Sequence, residues 1–333
     1  MGILNFKNSI YIISSATAAG NKEVSGALGD IFDITDTTDR FGADTWEKSE
    51  SEMQRLTLGR AIEKSGLKAD DIDALYAGDL LNQCLGSAFG IVDFSLPFFG
   101  IFGACSTLGE GLTLASVMLD SEHAKYCAVN CSSHNCSAER QFRYPLEYGG
   151  QRPPTAQWTV TGSASYILSS QKSSEDAPRI TAALAGIPID SGMSDANNMG
   201  AAMAPAAADT IFRFFKESKE SPDDYDMILT GDLGLEGSKL LEILLKKEDL
   251  DISKKHRDCG ILIYDIKRQD VHSGGSGCGC SGIVFGSYIL KKLKENELKK
   301  ILLIPTGALM NTASVQQGQN IIGIAHAVKI ENK

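Results

Sequence analysis

Cys105 is the residue best placed for chemistry in this 333-residue chain, because it stands where the apolar run FFGIFGA gives way to a helix-like stretch opening with Ser106 and Thr107. The first N–H groups of a helix have no partner and its dipole is positive at that end, so this placement predicts a thiol of lowered pKa and a seat for an anion. The plainer explanation for a lone cysteine is a small buried hydrophobe at a tight turn. Gly103 before it and a matching cysteine at 280 favour the chemical reading. The eight cysteines, at 84, 105, 127, 131, 136, 259, 278 and 280, lie in a long chain with no secretion-signal pattern and read as reduced thiols. Cys278 and Cys280 form a C-x-C pair, but Cys127, Cys131 and Cys136 lack the spacing of a second zinc-binding pair, so neither metal nor cofactor is expected.

Other polar residues cluster at the ends of strand-like runs. Ser133 and His134 close the run KYCAVNCSS, at the end where ligand sites of α/β sheets gather. A loop histidine satisfied by backbone is the alternative for His134. Arg140, Arg143 and Arg152 lie in an aromatic tract containing Gly and Pro, where a guanidinium fork can pair with a carboxylate and a surface or subunit-contact ion pair is the competing use. Asp79 and Asp232 end twin runs and are expected to face one pocket from two sides, with Asn82 in the loop of Asp79; capping of the following turns is the other role open to them.

The elements that must position these residues are repeated. DIDALYAGDL from Asp71 matches DYDMILTGDL from Asp224, so Asp79 falls on Asp232, 153 residues on. GACSTLGEGLTLASVML from Gly103 matches CGCSGIVFGSYILKKL from Cys278, so Cys105 falls on Cys280, 175 residues on. The strand-like runs KYCAVNCSS and KILLIPTGA follow at the same 175-residue offset, so the second copy carries extra residues in mid-repeat. Apolar runs alternate with amphipathic stretches such as Leu108, Leu112, Ala115 and Leu119. This predicts an α/β fold of two duplicated halves, residues 1–172 and 178–333, with mixed sheets packed around central helices and a polar link at QKSSEDAPR.

A duplicated α/β unit with a cysteine opening the central helix of its first half resembles the thiolase and ketoacyl-synthase superfamily. In that superfamily the cysteine accepts an acyl group, helped by a His after the strand that here ends in LTGD and by an Asn or His in the glycine-rich tract before the second central helix. Here Asp232 and Ser276 fall at those places. A carboxylate opposes the oxyanion that condensation must stabilise, which points to binding without turnover. The tracts AGDLLNQ (77–83), FGACST (102–107), SSHNCSAERQFRYPLEYGGQRP (132–153), AMAPAAADT (202–210), DDYDMILTGDL (223–233) and GGSGCGCS (274–281) resemble, nearly end to end, the stage V sporulation protein AD family. That resemblance implies a non-enzymatic, thiolase-fold protein that binds dipicolinic acid (pyridine-2,6-dicarboxylate), alone or as its calcium chelate, and serves its uptake into the developing spore; the alternatives are a Cys105-dependent acyltransferase of the ketoacyl-synthase kind and a structural subunit of a spore membrane complex. It further implies a peripheral place on the cytoplasmic face of the spore inner membrane, with other stage V sporulation membrane proteins as partners and a homodimer through the first-half sheet edge. The ligand set expected from it is Asp79, Asn82, Cys105, Ser133, His134, Arg143, Asp232 and Ser276.

Composition narrows the field in the same direction. The 43% hydrophobic and 22% charged content fits a globular α/β chain. With 32 Lys and Arg against 42 Asp and Glu, the net charge of -10 disfavours nucleic acid. No basic start with an apolar h-region opens the chain and no apolar run approaches a bilayer span, so neither a signal peptide nor a transmembrane segment is expected. GGSGCG lacks the Lys-Ser/Thr ending of a phosphate loop, GALGD lacks dinucleotide spacing, and His123, His256 and His326 form no H-x-x-x-H pattern.

Overall fold

The computed structural model describes residues 2–29, 31–142, 151–172 and 176–332. The first half runs β1 (Leu4–Gly20), α1 (Asn21–Val24), β2 (Ile34–Asp36), α2 (Trp46–Ser65), β3 (Ala74–Gly78), α3 (Leu85–Ile91) and β4 (Phe98–Gly100). It continues through α4 (Thr107–Asp120), β5 (Tyr126–Ser133), α5 (Asn135–Phe142), β6 (Trp158–Thr159) and β7 (Gly162–Ser169). The second half opens with β8 (Arg179–Leu184), β9 (Ile189–Asp190), α6 (Met199–Ser218), β10 (Met227–Thr230), α7 (Gly234–Lys246) and β11 (His256–Asp258). After α8 (Cys259–Leu262) and β12 (Gly275–Ser276), its central helix is built from α9 (Cys278–Ile283), a π-helical turn over Val284–Ile289 and α10 (Leu290–Lys294). Four strands, β13 (Lys300–Ile304), β14 (Thr306–Leu309), β15 (Ile322–Ala325) and β16 (Ala327–Glu331), and the short α11 (Thr312–Gln316) complete the chain.

The strand order states the duplication outright: β4-β3-β5-β7-β1 in one half, β11-β10-β13-β16-β8 in the other, hydrogen-bonded into one sheet through the antiparallel pair β1 and β8. Each half has the same directions, parallel at its three outer strands and antiparallel at the two inner ones. α2 and α6 are both 20 residues long and start 153 residues apart, the offset of Asp79 and Asp232. The extra residues of the second half lie between β10 and α9, where α7, β11, α8 and β12 replace α3 and β4.

Period-2 alternation sorts the strands into layers. Leu75, Ala77 and Ala128 face outward and pack on Leu58, Ala61 and Ile62 of α2. Tyr76, Cys127 and Val129 face inward, onto Leu108, Leu112, Ala115 and Leu119 of α4 and onto Ile283 and Phe285. Leu229, Ile301 and Leu303 reach the same central layer from the other half, while Ile228, Leu302 and Ile304 turn outward to Ala204, Ile211 and Phe214 of α6 and Leu241 of α7. Helices thus cover both outer faces and fill the centre, and the two central helices bring their N-termini, each with its cysteine, toward one region. α2 shows how local sequence fixes such an element: Thr45 caps it by accepting from Lys48 N–H at 3.3 Å, and Gly66, at φ 75°, ends it in the left-handed region.

Candidate functional site

The turn that delivers Cys105 is tightly bound. Ser106 and Thr107 fold their hydroxyls back onto the carbonyls of Gly103 and Ala104, both at 2.7 Å, and Gly103 N–H donates to Thr107 Oγ1 at 3.2 Å. Ala104 is held at φ 49°, a conformation that costs a non-glycine residue about 1 kcal/mol or more and that turns the chain from strand to helix one residue before the thiol. Gly307 of β14 lies so close to Gly103 and Ser106 that a Cβ there would collide with the Gly103 carbonyl. No larger side chain fits, so β14 backs directly onto the cysteine turn.

Cys105 lines a narrow cavity with about 40 Å³ of room for water-sized centres. Leu80, Phe102, Phe142, Met199 and Met310 form most of the wall with Ala104, Ala138 and Ala308, while Cys105, Ser276, Thr159 and Glu139 supply polarity. Thr159 donates to Glu139 at 3.2 Å. The two hydroxyl-bearing wall residues are register partners: parallel pairing of β6 with β12 sets Thr159 beside Ser276.

Behind the wall, the groups form a directed chain. Ser276 Oγ donates to Asp232 Oδ2 at 2.9 Å, which leaves its lone pairs for the Cys105 thiol, 3.9 Å away. Gly277 N–H also donates to Oδ2, at 2.9 Å, and Thr306 Oγ1 to Oδ1, at 2.7 Å. Gly277 presents that N–H from φ 103°. Asp232 is fully buried, and its carboxylate is held by three neutral donors with no described cation bonded to it. Burial pushes its pKa up, against the pull of those hydrogen bonds.

The lowered thiol pKa expected from the helix terminus is overturned. Cys105 is pushed well above the ordinary thiol range, first by burial and then by the Asp232 carboxylate. The helix terminus is there, but desolvation of the thiolate and a neighbouring anion outweigh a partial charge. Cys105 is a neutral thiol at physiological pH.

Of the eight expected ligand residues, the structure brings Cys105 and Ser276 to the cavity and Asp232 directly behind them. Asp79 does not line it: its oxygens accept from Leu81 N–H at 2.8 Å, Ser87 N–H at 2.7 Å and Ser87 Oγ at 2.6 Å, the turn-capping role. Asn82 is exposed and gives its N–H to Gln141 Oε1 at 3.0 Å. Ser133 donates to the Val160 carbonyl at 2.7 Å. His134 is buried and satisfied at both nitrogens, Nε2 against the Asp39 carbonyl at 2.8 Å and Nδ1 accepting from Cys136 N–H at 3.2 Å; burial lowers its pKa, so it is a neutral loop histidine. Arg143 lies outside the described residues. Arg140 pairs with Glu47, and Arg152 with Asp270 at 2.6 Å. Sequence reasoning missed Leu80, Phe102, Thr159, Met199, Ala308 and Met310. Among the described residues, no group of three His, Cys, Asp or Glu is placed to hold a metal ion, and no helix is long and apolar enough to cross a membrane.

A profile of the family described as Stage V sporulation protein AD (SpoVAD) matches residues 2–331. The chain belongs to this family. It is 44% identical over 326 residues to Stage V sporulation protein AD of Bacillus subtilis (strain 168), covering 98% of this chain and 95% of that protein. Its fold is shared with OleA of Xanthomonas campestris with cerulenin bound (TM-score 0.61, 14% identity, 98% of each chain). It is shared too with 3-oxoacyl-[acyl-carrier-protein] synthase III of Aquifex aeolicus VF5 (TM-score 0.58, 12% identity, 97% of this chain and 99% of that one). The α/β thiolase-like architecture expected from the repeats is therefore the architecture of this sporulation protein family member.

Proposed function

We propose that this chain binds dipicolinic acid, alone or as its calcium chelate, without chemical turnover, and serves its uptake into the developing spore. The observation that carries the reading is the buried Asp232, bonded through Ser276 to the Cys105 thiol where a condensing enzyme needs a donor. A carboxylate there raises the cost of the thiolate and of any oxyanion formed beside it. What remains is a receptor: Phe102, Phe142, Leu80, Met199 and Met310 for a flat aromatic ring, and the N-terminus of α4 at Cys105 for a carboxylate.

Calorimetric titration with dipicolinate, with and without calcium, tests this directly. A ligand that binds the folded state alone stabilises it by about 2.7 kcal/mol at a hundredfold excess over Kd, so thermal melts must rise with dipicolinate and not with benzoate. The rival use of the same cavity is acyl transfer at Cys105, favoured by the fold it shares with the synthase. A robust rate on acyl-CoA or acyl-carrier substrates that Cys105→Ala abolishes overturns the binding reading.

The partners proposed are other stage V sporulation membrane proteins, at the cytoplasmic face of the spore inner membrane. A second copy is also proposed. β4 is an edge strand whose Phe98 and Phe99 are 37% and 48% exposed, and Phe102 beyond it is 43% exposed while also lining the cavity. An apolar open edge pairs well with itself about a two-fold axis. Sedimentation is expected to give a dimer that Phe99→Asp splits; an unchanged mass for the variant removes this edge as the interface.

A further inference from the structure

Away from Asp232, Glu50 and Asp79 form a fully buried acidic pair. Glu50 of α2 accepts from Ser132 Oγ at 3.0 Å and from Ser137 Oγ at 2.7 Å. Asp79 faces it across Gly86, where an added Cβ would stand 3.2 Å from Glu50 Cγ and 3.3 Å from Asp79 Oδ2. Gln54, one helical turn beyond Glu50, donates to Ser87 Oγ at 3.0 Å and Ser132 Oγ at 2.7 Å and leaves its own Oε1 buried without a partner. The other titratable groups that act on the pair are Glu47 of α2, which pairs with Arg140 of α5, and the thiols of Cys84 before α3 and Cys278 opening α9. Among the described residues no Lys, Arg or His bonds to either carboxyl group.

Two carboxylates facing one another in a dry site cannot both stay ionised. Asp79, which accepts from two backbone N–H groups and a hydroxyl, is the better anion. Glu50 accepts from two hydroxyls alone, and Ser137 can release one of these bonds: its hydroxyl also lies 3.1 Å from the His134 carbonyl, so it can donate there while accepting a proton from Glu50. Burial first and then Asp79 raise the pKa of Glu50 to about 8.

We propose that Glu50 carries a proton while the cavity is formed and that losing it loosens the wall made by Leu80 and α5, so that occupancy of the cavity is coupled to one proton. Leu80 follows Asp79 directly, and α5 carries Ser137 beside Ala138, Glu139 and Phe142 of the wall. Gln141 joins the two parts by donating to the Leu80 carbonyl at 3.0 Å. An ionised Glu50 repels Asp79, so the anchors of Leu80 and of α5 are driven apart together. The coupling to a ligand rests on the dipicolinate reading; the proton linkage itself does not.

The sign follows from a folded pKa raised above the ordinary 4.5: folding takes up a proton, and the stability this confers is complete below that value and is lost as pH rises toward about 8. The experiment is a set of ligand-free melts from pH 5 to 9, with dipicolinate titrations over the same range, on the wild type, Glu50→Gln and Ser137→Ala. Glu50→Gln is expected to lose one proton's worth of pH slope in the melts and to hold a flat affinity, while wild-type affinity falls by up to about tenfold per pH unit above 8. Ser137→Ala is expected to keep the melting slope and lose the pH dependence of affinity. Should Glu50→Gln not fold, Asp79→Asn must move the wild-type slope to lower pH, because it removes the charge that holds the proton. A Gln or Asn variant with wild-type pH dependence in its melts overturns the proposal. If dipicolinate binds at no pH, the ligand reading falls, and hydrogen-exchange protection of α5, lost above pH 8 in wild type but kept in Glu50→Gln, still decides the linkage.

Discussion

Asp79 and Asp232 hold the same place in the two halves, two residues or fewer beyond β3 and β10, yet their carboxylates do different things. Asp79 turns into its own loop and binds Leu81 and Ser87, whereas Asp232 reaches across the molecule to Ser276, Gly277 and Thr306. The cysteines diverge in the same way. Cys105 meets the cavity, while Cys280 is fully enclosed and gives its S–H to the Gly231 carbonyl at 3.6 Å. Duplication thus supplies two equivalent frames that differ most in one segment, α3 and β4 against α7 to β12, and the cavity takes its walls from both. A residue's place in the repeat fixes its backbone but not what its side chain meets.

The largest expected effect tests whether this asymmetry is functional. Asp232→Ala leaves two hydroxyls and one N–H without their acceptor in a dry site and is expected to cost about 3 kcal/mol. It also removes a buried anion from behind the cavity and frees the Ser276 hydroxyl to donate, so the folded variant is expected to bind dipicolinate more tightly. Asp79→Ala likewise strands three donors but relieves the repulsion on Glu50, so about 2 kcal/mol is expected, with no gain in affinity. Urea denaturation and titration of both variants measure the pair. Equal changes of affinity would erase the distinction.

The repeat explains why so much of the frame was legible. The 153- and 175-residue offsets, the four-residue apolar stripe of α4 and the alternation of β3, β5, β10 and β13 all survive in the structure, because each depends on local periodicity and burial. The cavity was legible only where a side chain lies on a repeat landmark, as Cys105, Asp232 and Ser276 do. Thr159 arrives through a two-residue strand pairing, and Met199 and Met310 from the first turn of α6 and the end of β14, contacts that carry no periodic signal. The thiol pKa was misjudged for a related reason. A helix terminus can be read from sequence, but the degree of burial and a partner 127 residues away cannot.

A smaller effect separates the two cysteines. Cys280→Ser puts a hydroxyl into a fully packed apolar region and is expected to cost about 1–2 kcal/mol. Cys105→Ser lies at a polar corner of the cavity beside Ser276 and is expected to cost under about 1 kcal/mol while keeping much of the dipicolinate affinity. Midpoints in urea give both numbers. A costlier Ser at 105 than at 280 would mean that the cavity is the more tightly packed of the two.

The smallest effect concerns reactivity and isolates Asp232 as the cause. Because burial and Asp232 raise the pKa of Cys105, its thiolate fraction at pH 7 to 9 is small and grows tenfold with each unit of pH, so alkylation by iodoacetamide should be slow and still rising at pH 9. Cys84 and Cys136, each half-buried and pushed to about 11, react in the same range and must be followed separately by peptide mapping. Asp232→Asn keeps the size of the side chain and removes its charge. With that charge gone more of the thiol is ionised, so the Cys105 rate at pH 8 is expected to rise, with Cys84 and Cys136 unchanged. Cys280 feels the same carboxylate but has no route to the reagent, and should stay unmodified in both proteins. If Cys105 reacts no faster in the Asn variant, Asp232 is not the charge that suppresses it, and the case against turnover then rests on burial alone.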